Sequence, residues 1–344
     1  MAYSFKSSDH FNTVLYTGNG STQSVTGVNF QPDLVWGKSH TSGYSHQWYD
    51  ALRGATYSLK SNGATTQETL STGLTSFDSD GFSLGNNANI NTSGHTVTAW
   101  NWKAGGTGST NTDGSISATV SANTTAGFSI VKWDGTGSNG TIGHGLGKAP
   151  SFIILKSYTN DEQWVVGHDY TYLANGWNYY LHLQSTADRG ENSNRWQNTA
   201  PTSSVFSVGT EDQVNSSSKS YVAYCFANTR GFSKFGYYHG ASQLDGIFQY
   251  TGFAPSLVIC KVTNTTGNWI MFDRKSSHAN LIDNYFDANV TDGLGSNANG
   301  IDFLSNGFKH RNQFDTANNS YQYIYMAFAE SPLVGTNDTP CTAR

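Results

Sequence analysis

Charge, cysteine and proline are all scarce in this chain. Only 12% of its 344 residues are Asp, Glu, Lys or Arg, and the net charge is −5. No basic run occurs, which argues against nucleic-acid binding through phosphate neutralisation. The three cysteines, Cys225, Cys260 and Cys341, are odd in number and unrelated in spacing. They fit neither a disulfide framework nor a zinc site, and suit folding in a reducing cytoplasm. No apolar run approaches the roughly 20 residues that cross a bilayer, so no membrane insertion is expected. The opening MAYSFKSSDH has no basic stretch leading into an apolar one, so no signal peptide is expected. Metalloprotease and phosphate-loop signatures are missing too: no HExxH or GxxxxGK[ST] is found, and the ten histidines are scattered. The expectation is therefore no catalytic residue, no metal and no cofactor.

Aromatics, glycine and small polar residues are abundant. Phe, Trp and Tyr make up 14% of the chain, and there are 37 glycines. Short β-branched and aromatic runs alternate with turn residues, and no long segment carries apolar residues at helical spacing. Three of only six prolines open related stretches: QPDLVWGK at 31–38, APSFIILK at 149–156 and APSLVICK at 254–261. Pro32, Pro150 and Pro255 lie 118 and 105 residues apart. A Trp and then an Asp follow each one: Trp48 with Asp50, Trp164 with Asp169, Trp269 with Asp273. An alternating aromatic run closes each unit (HTVTAWNW, KSYVAYCF, YQYIYMAF), with Ala99, Ala223 and Ala327 shared. The chain is therefore read as all-β, with three tandem β-sandwich, jelly-roll-like domains of one repeated type. The boundaries are 1–104, 127–229 and 230–344, the last with a short C-terminal tail. Residues 105–126, rich in Gly, Ser, Thr and Asn, read as a linker with room for one short strand at SISATV.

Repetition also sorts structure from function. A residue type kept in all three units builds the fold; one found in a single unit is free to do something else. The Pro, Trp and Asp landmarks fall in the first class. Pro suits the start of a strand because its φ is fixed and it lacks an N–H. Asp78 and Asp80 in SFDSDGFSLG lack the oxygen ligands and final Glu of a calcium loop. Asp80-Gly81 and Asn306-Gly307 read instead as hairpin turns. The triplets NTS at 91–93 and NSS at 215–217 read as chance in so Asn- and Ser-rich a chain. Two of the nine tryptophans, Trp177 and Trp196, break the repeat; with Tyr179 and Arg195 they are the candidate ligand-binding residues. Aromatics beside amides and a guanidinium suit stacking on a sugar or a partner protein.

The ordered set QPDLVWGK, WYDALRG, SFDSDGFSLG and AWNWKAG resembles a repeat of virion structural, tail-fibre-like proteins of marine tailed phages. The ending YIYMAFAESP with a tail closing on TAR is similar to that family as well. The likeness is close in unit one and at the C-terminus, and loose in unit two. It implies a non-enzymatic virion protein, assembled in the host cytoplasm, in a tail fibre, knob or similar appendage used in host attachment. Capsid-surface decoration and a glycan-binding module are the alternatives. The implied partners are other virion proteins, further molecules of the same chain as a trimer or ring, and a host surface glycan. The family offers no catalytic residues to carry over.

Overall fold

The computed structural model describes residues 6–277, 280–311, 317–329, 333–334 and 340–341. The tail ending in TAR and the side chain of Cys341 lie outside them. Among the described residues the structure is antiparallel β with a few helices of one turn. Each unit repeats one four-stranded sheet. Its opening strands are Phe11–Thr17, Phe128–Asp134 and Ser233–His239. The Pro-led strands are Leu34–Ser39, Phe152–Ser157 and Pro255–Val262. The fourth strands are Gln47–Asp50, Val165–His168 and Trp269–Asp273. The closing strands are Thr96–Trp102, Ser220–Phe226 and Gln322–Ala329. In space the order is opening, closing, Pro-led, fourth in all three units.

Alternation gives each sheet two apolar faces, because successive side chains point to opposite sides. One face packs inside its own unit. Val35 and Ala99 do so in unit one, Ile153 and Ala223 in unit two, and Val258 and Ala327 in unit three. The other face belongs to no single unit. Trp36, Trp100 and Trp102, Ile154, Tyr224 and Phe226, and Ile259, Met326 and Phe328 all enter one shared central core. Trp48 packs on Trp164 at 5.3 Å, Trp102 on Phe328 at 5.4 Å, and Phe152 on Phe235 at 5.9 Å, so every pair of units is in contact. The units are therefore wedges around a common axis, and unit one is as firmly built in as the others.

The stretch 105–126 is not a free linker. Ser109–Asn111 and Ala118–Asn123 are strands, and the second pairs with the opening strand of unit two. Ile116 also forms a parallel bridge with Ile142 at the edge of the outer sheet of unit two. At its start, Ala104 N–H donates to the buried Asp33 carboxylate at 2.7 Å. Low charge and small residues do not prevent strand formation where a hydrophobic edge waits to be covered.

Strand register corrects three landmark sets. Leu34, Phe152 and Leu257, each two residues past its Pro, face Trp102, Phe226 and Phe328, so the Pro landmarks are true equivalents. Ala327 faces Val258 and so matches Asn101 and Cys225, not Ala99 and Ala223. Asp50 and Asp273 face Leu34 and Leu257, but the residue facing Phe152 is His168, so Asp169 is one position out. Trp269 faces Lys261, and Trp164 immediately precedes Val165, the partner of Leu155. Their counterpart in unit one is His46, not Trp48, which faces Trp36.

Candidate binding surface

The junctions between units explain the last residue of the Pro motif. Lys38, Lys156 and Lys261 are fully buried at equivalent positions on the axial face. Each amine bridges a carbonyl of its own unit and one of a neighbour. Lys38 Nζ donates to Ser39 O at 3.0 Å and to Thr291 O at 3.3 Å. Lys156 donates to Asn160 O at 3.3 Å and to Ala64 O at 3.0 Å. Lys261 donates to Gly267 O at 2.7 Å and to Thr186 O at 3.1 Å. Unit one thus holds three, two holds one, and three holds two: the contacts close a ring with pseudo-threefold symmetry. Burial pushes Lys38 down to about 8 and the other two to about 7, against nearby carboxylates that pull upward. Charged or neutral, the amine has at least two N–H groups for the two carbonyls each lysine meets.

A second cycle runs beside the first. Trp164 Nε1 donates to Lys60 O and Trp269 Nε1 to His182 O, both at 2.9 Å. His46, in the same place in unit one, bonds Asp287 O at 3.1 Å and takes the Trp36 indole N–H on its Nδ1. A third cycle is chemically varied. Asp50 accepts from Tyr224 of unit two at 2.7 Å, while Arg53 closes a buried ion pair on the same oxygen at 2.6 Å. Asp273 accepts from Trp100 of unit one at 3.1 Å. The residue matching Tyr224 and Trp100 in unit three is Met326, which has no donor, and the matching acceptor is His168 rather than Asp. Burial pushes His168 down to about 3, so it sits there neutral.

Away from the axis, each closing strand is clamped by a fully buried Asn just before it. Asn91 donates to Ser21 O and accepts from Asn19 N–H, at 2.6 and 2.9 Å. Asn215 does the same with Ser138 O and Thr136 N–H, at 2.6 and 3.0 Å. Asn318 repeats it with Gln243 O and Ala241 N–H, at 2.9 and 3.1 Å. Gly18, Gly135 and Gly240 lie where a Cβ would strike the backbone after each Asn. The Asn-x-Ser triplets read as chance are thus structural landmarks.

The candidate ligand residues divide. Trp177 and Trp196 are buried, packed edge to face with centroids 5.4 Å apart, and so offer no stacking surface. The cause lies in unit two's own strand. Where units one and three place Tyr49 and Phe272, unit two has Gly167, and a Cβ there would strike both indoles. The two tryptophans fill the space of a missing aromatic. Asp169 serves them by accepting from Trp177 Nε1 at 2.8 Å. Arg195 is buried as well, over the Tyr180 ring at 3.3 Å and paired with Glu211 at 3.4 Å.

Tyr179 alone reaches solvent, and it has company that the sequence reading missed. Its ring lies 4.9 Å from that of Tyr172, and the Arg189 guanidinium covers both, 4.9 Å from Tyr172 and 5.6 Å from Tyr179. Tyr172 is 37% and Leu173 46% exposed. Asp188 and Glu191 flank the cluster, both exposed. All belong to the stretch in which unit two departs most from its siblings, which is the signal that could have found them. Arg189 also ties this loop to unit three, through Thr263 O at 2.9 Å from its N–H.

Two open grooves of 480 and 390 Å³ are lined by Thr110, Lys132, Asp134 and Tyr158, and by Lys6, Phe11, Arg274 and Lys275, among others. Neither brings two carboxylates, or a nucleophile and a histidine, together. Asp78 bonds within its own hairpin, to Ser76 and Ser83, and Asp80 accepts from the backbone N–H groups of Gly27 and Asn29, just past the neighbouring strand Gln23–Thr26. Among the described residues no three His, Cys, Asp or Glu side chains converge on a metal position, and no helix is long and apolar enough to cross a membrane.

No curated protein and no solved structure is significantly similar to this chain. One family model does match it, described as a domain of unknown function (DUF7483), and its match runs over residues 6–332. A single model therefore spans all three units, as expected of wedges that share one core. The chain belongs to this DUF7483 family.

Proposed function

We propose that the protein is a non-enzymatic structural component of a phage particle, placed in a tail fibre, knob or similar appendage and involved in host attachment. The observation that carries this reading is the closed pseudo-threefold ring around one core. Three copies locked by buried lysines, tryptophans and carboxylates around one core make a stiff body, suited to a fixed place in an assembly. The motifs that resemble tail-fibre-like virion proteins support the same reading. Its partners are then other virion proteins and further molecules of the chain, met in the host cytoplasm during assembly. Mass spectrometry of purified particles, with antibody labelling in the electron microscope, tests it. Particles without this chain refute the proposal. Scores to hundreds of molecules per particle convert it to capsid decoration.

A glycan-binding role is a second reading, favoured by the exposed Tyr172–Tyr179–Arg189 cluster. Ring faces flanked by a guanidinium and two carboxylates offer both stacking and hydrogen bonds to a polyhydroxylated ring. Adsorption of the purified protein to host cells, with and without Tyr172→Ala and Tyr179→Ala, tests it. Unchanged adsorption removes the reading.

A further inference from the structure

The outer edge of each unit can be compared in one register. In unit one the edge strand Gln23–Thr26 pairs with Gly81–Leu84, placing Ser24 opposite Ser83 and Thr26 opposite Gly81. In unit two Gly140–Gly143 pairs with Val205–Val208. In unit three Phe248–Tyr250 pairs with Gly307–His310, with Tyr250 opposite Gly307 and Phe248 opposite Lys309. Phe248 and Tyr250 thus stand where unit one has Ser24 and Thr26 and unit two has Thr141 and Gly143.

The three edges are treated differently. Unit one leaves its edge open but polar, with Ser24 and Thr26 exposed. Unit two covers its edge with its own chain: Ile116 N–H donates to Thr141 O at 3.0 Å, and Ser115 Oγ accepts from Thr141 N–H at 2.9 Å. Unit three does neither. The stretch between units two and three is too short to supply such a strap, and among the described residues no strand pairs with the outer side of 248–250. Yet Phe248 is 40% and Tyr250 65% exposed, and Leu244, four residues before Phe248, is 65% exposed. An open edge with aromatic side chains invites pairing, and proteins that avoid it place polar or charged groups there, as unit one does.

We infer that the edge strand Phe248–Tyr250 is a docking surface for a second molecule of this chain, which pairs with it antiparallel through the same three residues. Self-complementarity selects this occupant. Pairing about Gln249 sets Phe248 of each molecule opposite Tyr250 of the other, both on the face they already share, which gives two aromatic cross-strand pairs. A twofold contact requires such a patch to match itself. The salt-bridged Asp245, Lys309 and Arg311 beside it carry both charge signs, so two copies of the patch do not repel. The strap of unit two shows within this chain that the outward backbone groups of the equivalent edge form hydrogen bonds with a further segment.

Sedimentation velocity on the full chain tests the inference over a range of roughly 1 to 100 μM. The wild type is expected to dimerise within that range. The double variant Phe248→Ser, Tyr250→Thr carries the residues that unit one already tolerates in these places, so it is expected to fold, as circular dichroism checks. Its dimer dissociation constant is expected to rise at least tenfold. Leu15→Ser, at an exposed position on another strand, is expected to leave the dimer unchanged. A wild type that stays monomeric throughout overturns the inference, as does a dimer that survives the double variant. Neither result touches the place of the protein in a particle, which the mass spectrometry decides.

Discussion

Three buried lysines in one core make the stability of this protein depend on pH in an unusual direction. An unfolded lysine titrates near 10.5, whereas Lys156 and Lys261 titrate at about 7 and Lys38 at about 8 in the folded chain. Between those values and 10.5 the unfolded state holds more protons than the folded one, so stability rises with pH. Each fully released proton contributes about 1.4 kcal/mol per pH unit. From pH 7 to 9 the two lower lysines contribute about 2 kcal/mol each and Lys38 about 1, at most about 5 kcal/mol together. Nearer pH 10 the trend reverses. Burial pushes Cys225, Cys260, Tyr224 and Tyr238 up, so the unfolded chain loses those protons first. The stability maximum is expected between about pH 9 and 10. Guanidinium titrations at half-unit intervals from pH 6 to 10.5 measure it. Lys261→Met should flatten the rise by about 2 kcal/mol, and leaves the carbonyls of Gly267 and Thr186 without their donor. Stability that is level or falling from pH 7 to 9, or a rise that Lys261→Met does not change, refutes the reasoning.

Other changes separate axial, clamping and surface residues. Tyr224→Phe removes one bond to Asp50 while Arg53 stays in place, and should cost about 1–2 kcal/mol in denaturant unfolding. Asn215→Ala removes the amide donor to Ser138 O and the acceptor of Thr136 N–H, and should cost about 1–3 kcal/mol by the same measurement. Trp177→Ala opens a void beside Gly167 and Trp196, with an expected loss of about 3–5 kcal/mol, read as a lower melting temperature. Tyr172→Ala, at the exposed cluster, should stay within about 0.5 kcal/mol of wild type.

Sequence comparison within the chain found the repeat because some positions admit only one residue type. Pro opens the second strand in every unit because a fixed φ without an N–H suits that place. Lys ends the motif because only a long side chain with several donors reaches carbonyls on both sides of a junction. Elsewhere the role persists while the residue changes. A donor to the next unit's carbonyl is Trp in units two and three but His46 in unit one, so matching by Trp slipped onto Trp48. The Asp50 and Asp273 position becomes His168, and a nearby Asp169 took its place in the alignment. The Asn clamps were visible in the spacing, since Asn91, Asn215 and Asn318 keep the steps of the closing strands. They went unread because Asn is common here. The burial of Trp177 and Trp196 had a trace as well, in the glycine of WVVGHD where the siblings carry Tyr49 and Phe272. The shared core was the least legible feature. Alternation shows that a strand has two apolar faces, but not that the second face belongs to the neighbours.

Joining the three units in one chain explains why their axis need not be uniform. In a trimer of identical chains, a change at the Asp50 position occurs three times at once, and its partner must suit all three junctions. Here each junction is adjusted alone. Asp50 keeps a tyrosine and an arginine, Asp273 a tryptophan and Thr13, and the third junction drops the carboxylate where Met326 gives no hydrogen bond. An unpaired carboxylate at that third place would be buried among Phe152 and Phe235 at a cost of several kcal/mol, on the order expected for an unmatched buried charge. The same freedom acts outside the ring: unit two fills its core with two extra tryptophans and straps its own edge, while among the described residues no strand covers the edge of unit three. The axis keeps what all three need in order to close, and the individual character of each unit is found on its outer sheet and loops.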